Sequence, residues 1–175
     1  MNQELREKVV AMKLFAMDFD GIHTDGRVIT DAVGREYVIC SRIDGRGISR
    51  LQKETDVEAC VISLEANPVV AARCRKLGLP CHQGIESGEG KLAVLKRVME
   101  ERGIAPSAVL YLGDDDSDIA PMRYAGIRVT VPDAYPAVRS IAHYVTAARG
   151  GHGAVREVCE LILAAKGARL SQSYE

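Results

Sequence analysis

Asp18 and Asp20 stand one residue apart at the end of the apolar run in LFAMDFDGIHTDG, residues 14–26. On a strand, side chains two apart share a face. Both carboxylates would then enter one small volume, where two anions need a cation or a proton. A second acidic cluster lies far downstream. Asp114, Asp115, Asp116, Ser117 and Asp118 follow the apolar stretch Ala108 to Leu112 and Gly113. These carboxylates also repel unless something neutralises them. Mg2+ is a hard ion that takes carboxylates, carbonyls and water, often beside a substrate phosphate. The chemistry predicted is metal-assisted acid/base work. Asp115 and Asp116 have a competing reading at a helix N-terminus, with Asp116 or Ser117 as the cap and Asp115 solvated. Asp114, directly after a strand, reads as a ligand.

The elements must deliver these groups. The pattern predicts strands at 14–19, 57–63, 79–83, 108–112, 127–131 and 143–146. Helices are predicted at 2–10, 47–53, from Asn67-Pro68 to Gly78, and at 91–102, 119–124, 135–142 and 154–166. Asn67 suits an N-cap, Pro68 the first helical position and Gly78 a helix end. Residues 27–41 read as two strands turning near 32–34, with Asp44-Gly45 as a break after them. A glycine-broken loop spans 84–90 and a polar tail 167–175. Strands alternating with short helices predict an α/β fold with a parallel sheet covered on both faces. Sites in such sheets form beyond the carboxyl ends of the strands. Asp18/Asp20, Ser63 and Asp114 all fall there.

Composition narrows the classes. The chain has 175 residues, 47% hydrophobic and 27% charged, which suits one soluble domain spanning 1–175. A net charge of -1, few aromatics and no Trp give no case for nucleic acid. No apolar run approaches a membrane span, and the N-terminus lacks a secretory core, so a cytoplasmic protein is expected. Five cysteines without a C-x-x-C pair argue against a disulfide framework or a zinc site. Cys81-His82 is a poor ligand pair, because adjacent strand residues face opposite ways.

D-F-D-G-x-x-T-D-G followed far downstream by G-D-D-x-x-D resembles the haloacid dehalogenase superfamily of phosphatases. The resemblance covers nearly the whole chain. It implies a Rossmann-like, three-layer fold, Mg2+ dependence and an aspartyl-phosphate intermediate. Asp18 matches the nucleophile and a metal ligand. Asp20 matches the general acid/base, and its carbonyl a further metal ligand. Ser63 matches the hydroxyl that holds the phosphoryl group, and Lys91 the neutralising lysine. Taken alone, a serine or lysine in such loops reads equally as solvated. Asp114 matches a metal ligand, and Asp118 the second acid of its motif. Gly21 would let backbone amides approach the phosphate.

No cap domain fits between Asp20 and Ser63, only the β-hairpin flap at 27–41 and one helix. The chain therefore resembles the cap-less branch acting on octulosonate and nonulosonate phosphates, and GGHGAVRE at 150–157 is similar to that branch's signature. The resemblance implies a homotetramer with the hairpins at its centre and a small-molecule sugar acid phosphate as partner. Ser63-Leu64-Glu65 stands where the octulosonate group usually has T-G-R. Glu65 and Lys76 resemble the nonulosonate group and imply substrate contacts there. Gly90 precedes Lys91 where an acid is common. His23 replaces an apolar residue and is open between a substrate contact and a packed or solvated histidine. Two other classes stay open: a receiver-like module regulated by phosphorylation, and a low-activity partner of an acylneuraminate cytidylyltransferase.

Overall fold

The structure, a computed structural model, describes residues 3–167. Its frame is six parallel strands: β1 (Leu14–Met17), β4 (Glu58–Ile62), β5 (Cys81–His82), β6 (Val109–Leu112), β7 (Ile127–Thr130) and β8 (Tyr144–Val145). Their order across the sheet is β5-β4-β1-β6-β7-β8. β1 and β6 are buried at every residue. Central parallel strands read as continuous apolar runs because helices cover both faces. β1 pairs with β4 on one side and β6 on the other, with Met17 opposite Val61 and Leu112. The chain runs outward from β1 to β4 and β5, then returns to β6. The crevice beyond the carboxyl ends of these strands is where such sheets bind ligands.

Among the described residues, seven helices flank the sheet: α1 (Gln3–Ala11), α2 (Arg42–Glu54), α3 (Pro68–Leu77), α4 (Gly88–Arg102), α5 (Ile119–Tyr124), α6 (Pro136–Ile141) and α7 (Ala154–Ala165). α7 packs on α1 and α2, while α4 packs on α5. α3 is bounded as its sequence dictates. Asn67 accepts the Val69 amide, Pro68 opens the helix, and Gly78 closes it at φ 66°.

Three expectations need correction. Asp44-Gly45 does not break the chain: α2 already begins at Arg42, with Ser41 accepting the Ile43 amide as N-cap. The loop 84–90 does not run to Lys91 either, because α4 starts at Gly88 under the Ser87 cap. In both places glycines that read as loop lie in the first turn of a helix, where an added Cβ would sit 3.0 Å from Leu77 Cδ2 at Gly45 and 2.7 Å from the Ser117 carbonyl oxygen at Gly88. Lastly, Asp115, not Asp116 or Ser117, caps the 3-10 turn at Asp116–Asp118.

The hairpin is present but slight. β2 (Ile29–Thr30) and β3 (Glu36–Tyr37) pair antiparallel outside the main sheet. The cysteines from 40 to 159 are all free. No helix among the described residues is long and apolar enough to cross a membrane. The expected tail lies outside the described residues from 168 on.

Candidate active site

Asp18 follows β1 directly and is buried. Its Oδ1 accepts the Phe19 amide at 2.7 Å, and its Oδ2 accepts the Lys91 ammonium at 2.7 Å. Lys91 is wholly buried, an unusual place for a lysine unless paired. Its Nζ also donates to Asp118 Oδ1 at 2.8 Å. The reach depends on where α4 begins. A Cβ on Gly88 would sit 2.7 Å from the Ser117 carbonyl oxygen, so only glycine lets the helix start against that turn. Lys91 then lies on the buried face with Leu95, Val98 and Met99.

Asp118 is committed to the frame. Beyond Lys91, its Oδ1 accepts the Tyr111 hydroxyl at 3.0 Å, while Oδ2 accepts the amides of Asp114 at 3.0 Å and Asp115 at 3.3 Å. Asp114 differs. Its Oδ1 is buried without a hydrogen-bond partner. Carboxylate oxygens of Asp18, Asp114 and Asp118 lie within 4.8 Å of one another. With all three ionised, the carboxylates outnumber the one ammonium by two negative charges, the deficit a divalent cation fills. The hard oxygen donors and the orphaned Asp114 oxygen fit Mg2+. Because Asp118 has four donors already, Asp18 and Asp114 are the side chains free to ligate.

Burial sets the protonation pattern. It pushes the Asp114 carboxyl up to about 7, aided by the charges of Asp118 and Asp115. Burial also raises Asp18, reinforced by Asp118 and opposed by Lys91. Burial alone would lower the Lys91 ammonium, but Asp18 and Asp118 outweigh it and hold it above its usual value. Asp20 is half-buried. Desolvation raises its carboxyl, the Thr24 hydroxyl lowers it, and Glu65 raises it further. A raised carboxyl suits a proton donor.

The opening loop holds Asp20 through Thr24. Thr24 Oγ1 donates to Asp20 Oδ1 at 3.2 Å and accepts the amides of Gly21 and Gly26. Gly21 has φ 71°, and a Cβ there would fall on the Asp114 carboxylate. No other residue fits. Asp18, Asp20, Gly21, Ser63, Glu65, Asp114, Asp115 and Ser117 line one cavity of about 650 Å3. Ser63 Oγ accepts the Glu65 amide at 3.1 Å, and Glu65 accepts the Asn67 amide at 2.7 Å.

Two candidates stand apart from that cavity. Lys76 is exposed in the last turn of α3, which leads away from the strand ends, and it does not line the cavity. His23 is packed instead of solvated. It is buried, stacks on Phe19 at 5.4 Å, and burial pushes its imidazole down to about 3. Sequence reasoning missed Tyr111, read as plain core, although a tyrosine in a buried strand needs a hydroxyl partner. It also missed Asp44, read as turn.

This fold, with paired acids at the switch point and a buried lysine between them, defines a hydrolase class. The family model described as haloacid dehalogenase-like hydrolase matches residues 46–158. The chain belongs to that family, and its place is among the phosphatases. It is 37% identical over 161 residues to the 3-deoxy-D-manno-octulosonate 8-phosphate phosphatase of Escherichia coli K12, covering 91% of this chain and 84% of that one. A crystal structure of the Moraxella catarrhalis phosphatase of that name, in complex with magnesium ion, phosphate ion and KDO, matches with TM-score 0.89. Identity there is 36%, over 95% of this chain and 94% of that one. A putative haloacid dehalogenase family hydrolase from Streptomyces avermitilis matches at TM-score 0.83 and 44% identity, over 87% and 86% of the two chains.

Proposed function

We propose that the protein is a Mg2+-dependent phosphomonoesterase acting on a 2-keto-3-deoxy sugar acid phosphate through an aspartyl-phosphate. The observation that carries this reading is the division of labour between two aspartates on one cavity. Asp18 is held against a buried cation, and Asp20 is held by a hydroxyl with its carboxyl raised.

An ionised Asp18 needs no base to become a nucleophile. Its difficulty is approaching a phosphate dianion, and Lys91 reduces that repulsion. Asp18, the Asp20 carbonyl and Asp114 would hold the Mg2+, which supplies charge neutralisation for the transferring group when bound. Ser63 and the amides near Gly21 would hold phosphoryl oxygens. Asp20 would protonate the leaving oxygen, then deprotonate the water that hydrolyses the acyl phosphate. A receiver-like module has no need of such a proton carrier, so Asp20 favours turnover over a lasting phosphorylated state.

The octulosonate 8-phosphate is the first substrate reading, supported by what the relatives are named for. The nonulosonate 9-phosphate is the second, carried by Glu65 on the cavity wall. Lys76 has no supporting role within one chain. A neighbouring subunit would close the site in a homotetramer. The exposed apolar residues of the hairpin region, including Val33 at 74% and Ile39 at 71%, support such assembly.

The test is phosphate release from a panel of both sugar acid phosphates, with Mg2+ and after chelation. Release from one of them that stops on chelation is expected. Undiminished release without metal, or none from either class, contradicts the reading.

A further inference from the structure

Asp44 lies outside the cavity, yet it is fully buried in the first turn of α2. Its Oδ1 accepts the Arg156 amide at 2.8 Å. Arg156 is the third residue of α7, and the N-cap of that helix is Gly153, which has no side chain to offer. An N-cap side chain ordinarily accepts from the second or third helical amide. Asp44 therefore supplies the cap of α7 from another helix. The approach is possible because α2 carries Gly47 there. A Cβ at Gly47 would sit 2.8 Å from Arg156 Cδ and 3.0 Å from its Cα.

The segment leading into the capped end of α7 packs on the loop that follows β1. Glu157, one turn into α7, accepts the amides of Ala147 and Ala148 at 2.9 Å. Between these anchors, Gly151 donates its amide to the Ile22 carbonyl at 2.9 Å. A Cβ on Gly150 would fall on the Gly21 carbonyl, and one on Gly151 would sit 2.7 Å from the Asp25 amide nitrogen. Backbone thus packs on backbone. The segment it supports is the one in which Thr24 donates to Asp20 Oδ1.

We propose that Asp44 is a positioning residue for Asp20, acting through the start of α7 and the Gly150-Gly151 brace. Its carboxylate fixes the start of α7, the fixed helix end seats the brace, and the brace holds the turn that aims Asp20. The proposal rests on the reading of Asp20 as proton donor given above.

Leaving-group dependence tests it. In the first step an Asp18 oxygen bonds to phosphorus, the bond from phosphorus to the ester oxygen breaks, and the Asp20 proton goes to that oxygen. A p-nitrophenolate departs without the proton, whereas a sugar alkoxide does not. The measurement is kcat/KM with Mg2+ on p-nitrophenyl phosphate and on the best sugar acid phosphate. D44A and the isosteric D44L, which both remove the acceptor for the Arg156 amide, are expected to lose about tenfold or more on the sugar ester and under about threefold on the aryl ester. D44N keeps an acceptor for the Arg156 amide and is expected to retain both activities. D20N calibrates the assay. Equal loss on both esters in D20N overturns the proton-donor reading and the proposal built on it. Selective loss in D20N, with equal loss or no loss in D44A and D44L, overturns the role of Asp44 alone. Thermal melts establish which variants fold, and either folded lesion decides the question.

Discussion

Lys91 sets the electrostatics at the scale of single residues. It is a buried cation shared by two buried carboxylates, Asp18 and Asp118. Removing one partner from such a cluster leaves an uncompensated charge, at a cost of about 3–5 kcal/mol. K91M is therefore expected to lose stability of that order in metal-free buffer, read by denaturant titration. K91M/D118N should recover part of the loss, because the second change removes one stranded anion. A double variant no more stable than K91M would contradict the shared-charge account. Residues at this scale were legible when their chemistry was local. Asp18 and Asp20 share a strand end, and Asp114 follows its strand after one glycine. Asp44 was hidden because its partner amide lies 112 residues away. Tyr111 was hidden because an apolar run masks a single hydroxyl.

Helix starts carry the site at the scale of elements. α4 places Lys91 only because Gly88 lets its first turn meet the Ser117 backbone. A backbone carbonyl cannot swing aside as a side chain does. G88A is expected to cost about 1–3 kcal/mol by overpacking. It should also lower activity by moving Lys91 off Asp18, which steady-state phosphate release would detect. Wild-type stability and rate in G88A would contradict this role. The sequence placed the centre of α4 correctly from Leu95, Val98 and Met99 but began it three residues late. Gly88 and Gly90 have low helix propensity, and a close tertiary contact outweighs it here. The same conflict hid the first turn of α2, where Gly45 lies beside α3 side chains. α3 was legible because Asn67, Pro68 and Gly78 state its ends locally.

The sheet and the hairpin pose different problems at the scale of the whole molecule. The parallel sheet was legible because its central strands are apolar throughout and alternate with helices. The hairpin was legible as a ribbon but not in extent, since two-residue strands leave little pattern. Val28, Ile29, Val33, Tyr37, Ile39 and Ile43 expose apolar surface there. An isolated two-stranded ribbon is marginal in water, and the homotetramer proposed above would cover this surface. V33K/I39K is expected to shift sedimentation from the proposed tetramer to smaller species at equal concentration. It should also lower activity if a neighbour closes the site. An unchanged sedimentation profile would contradict assembly through this face.

The proposed reaction makes Asp18 the residue that takes the phosphoryl group. Acid-quenching the enzyme during turnover with Mg2+, reducing with borohydride and mapping peptide masses reads this directly. The expected result is homoserine at position 18, only when substrate is present. Reduction at another carboxylate, or no modified residue while phosphate is being released, would contradict it.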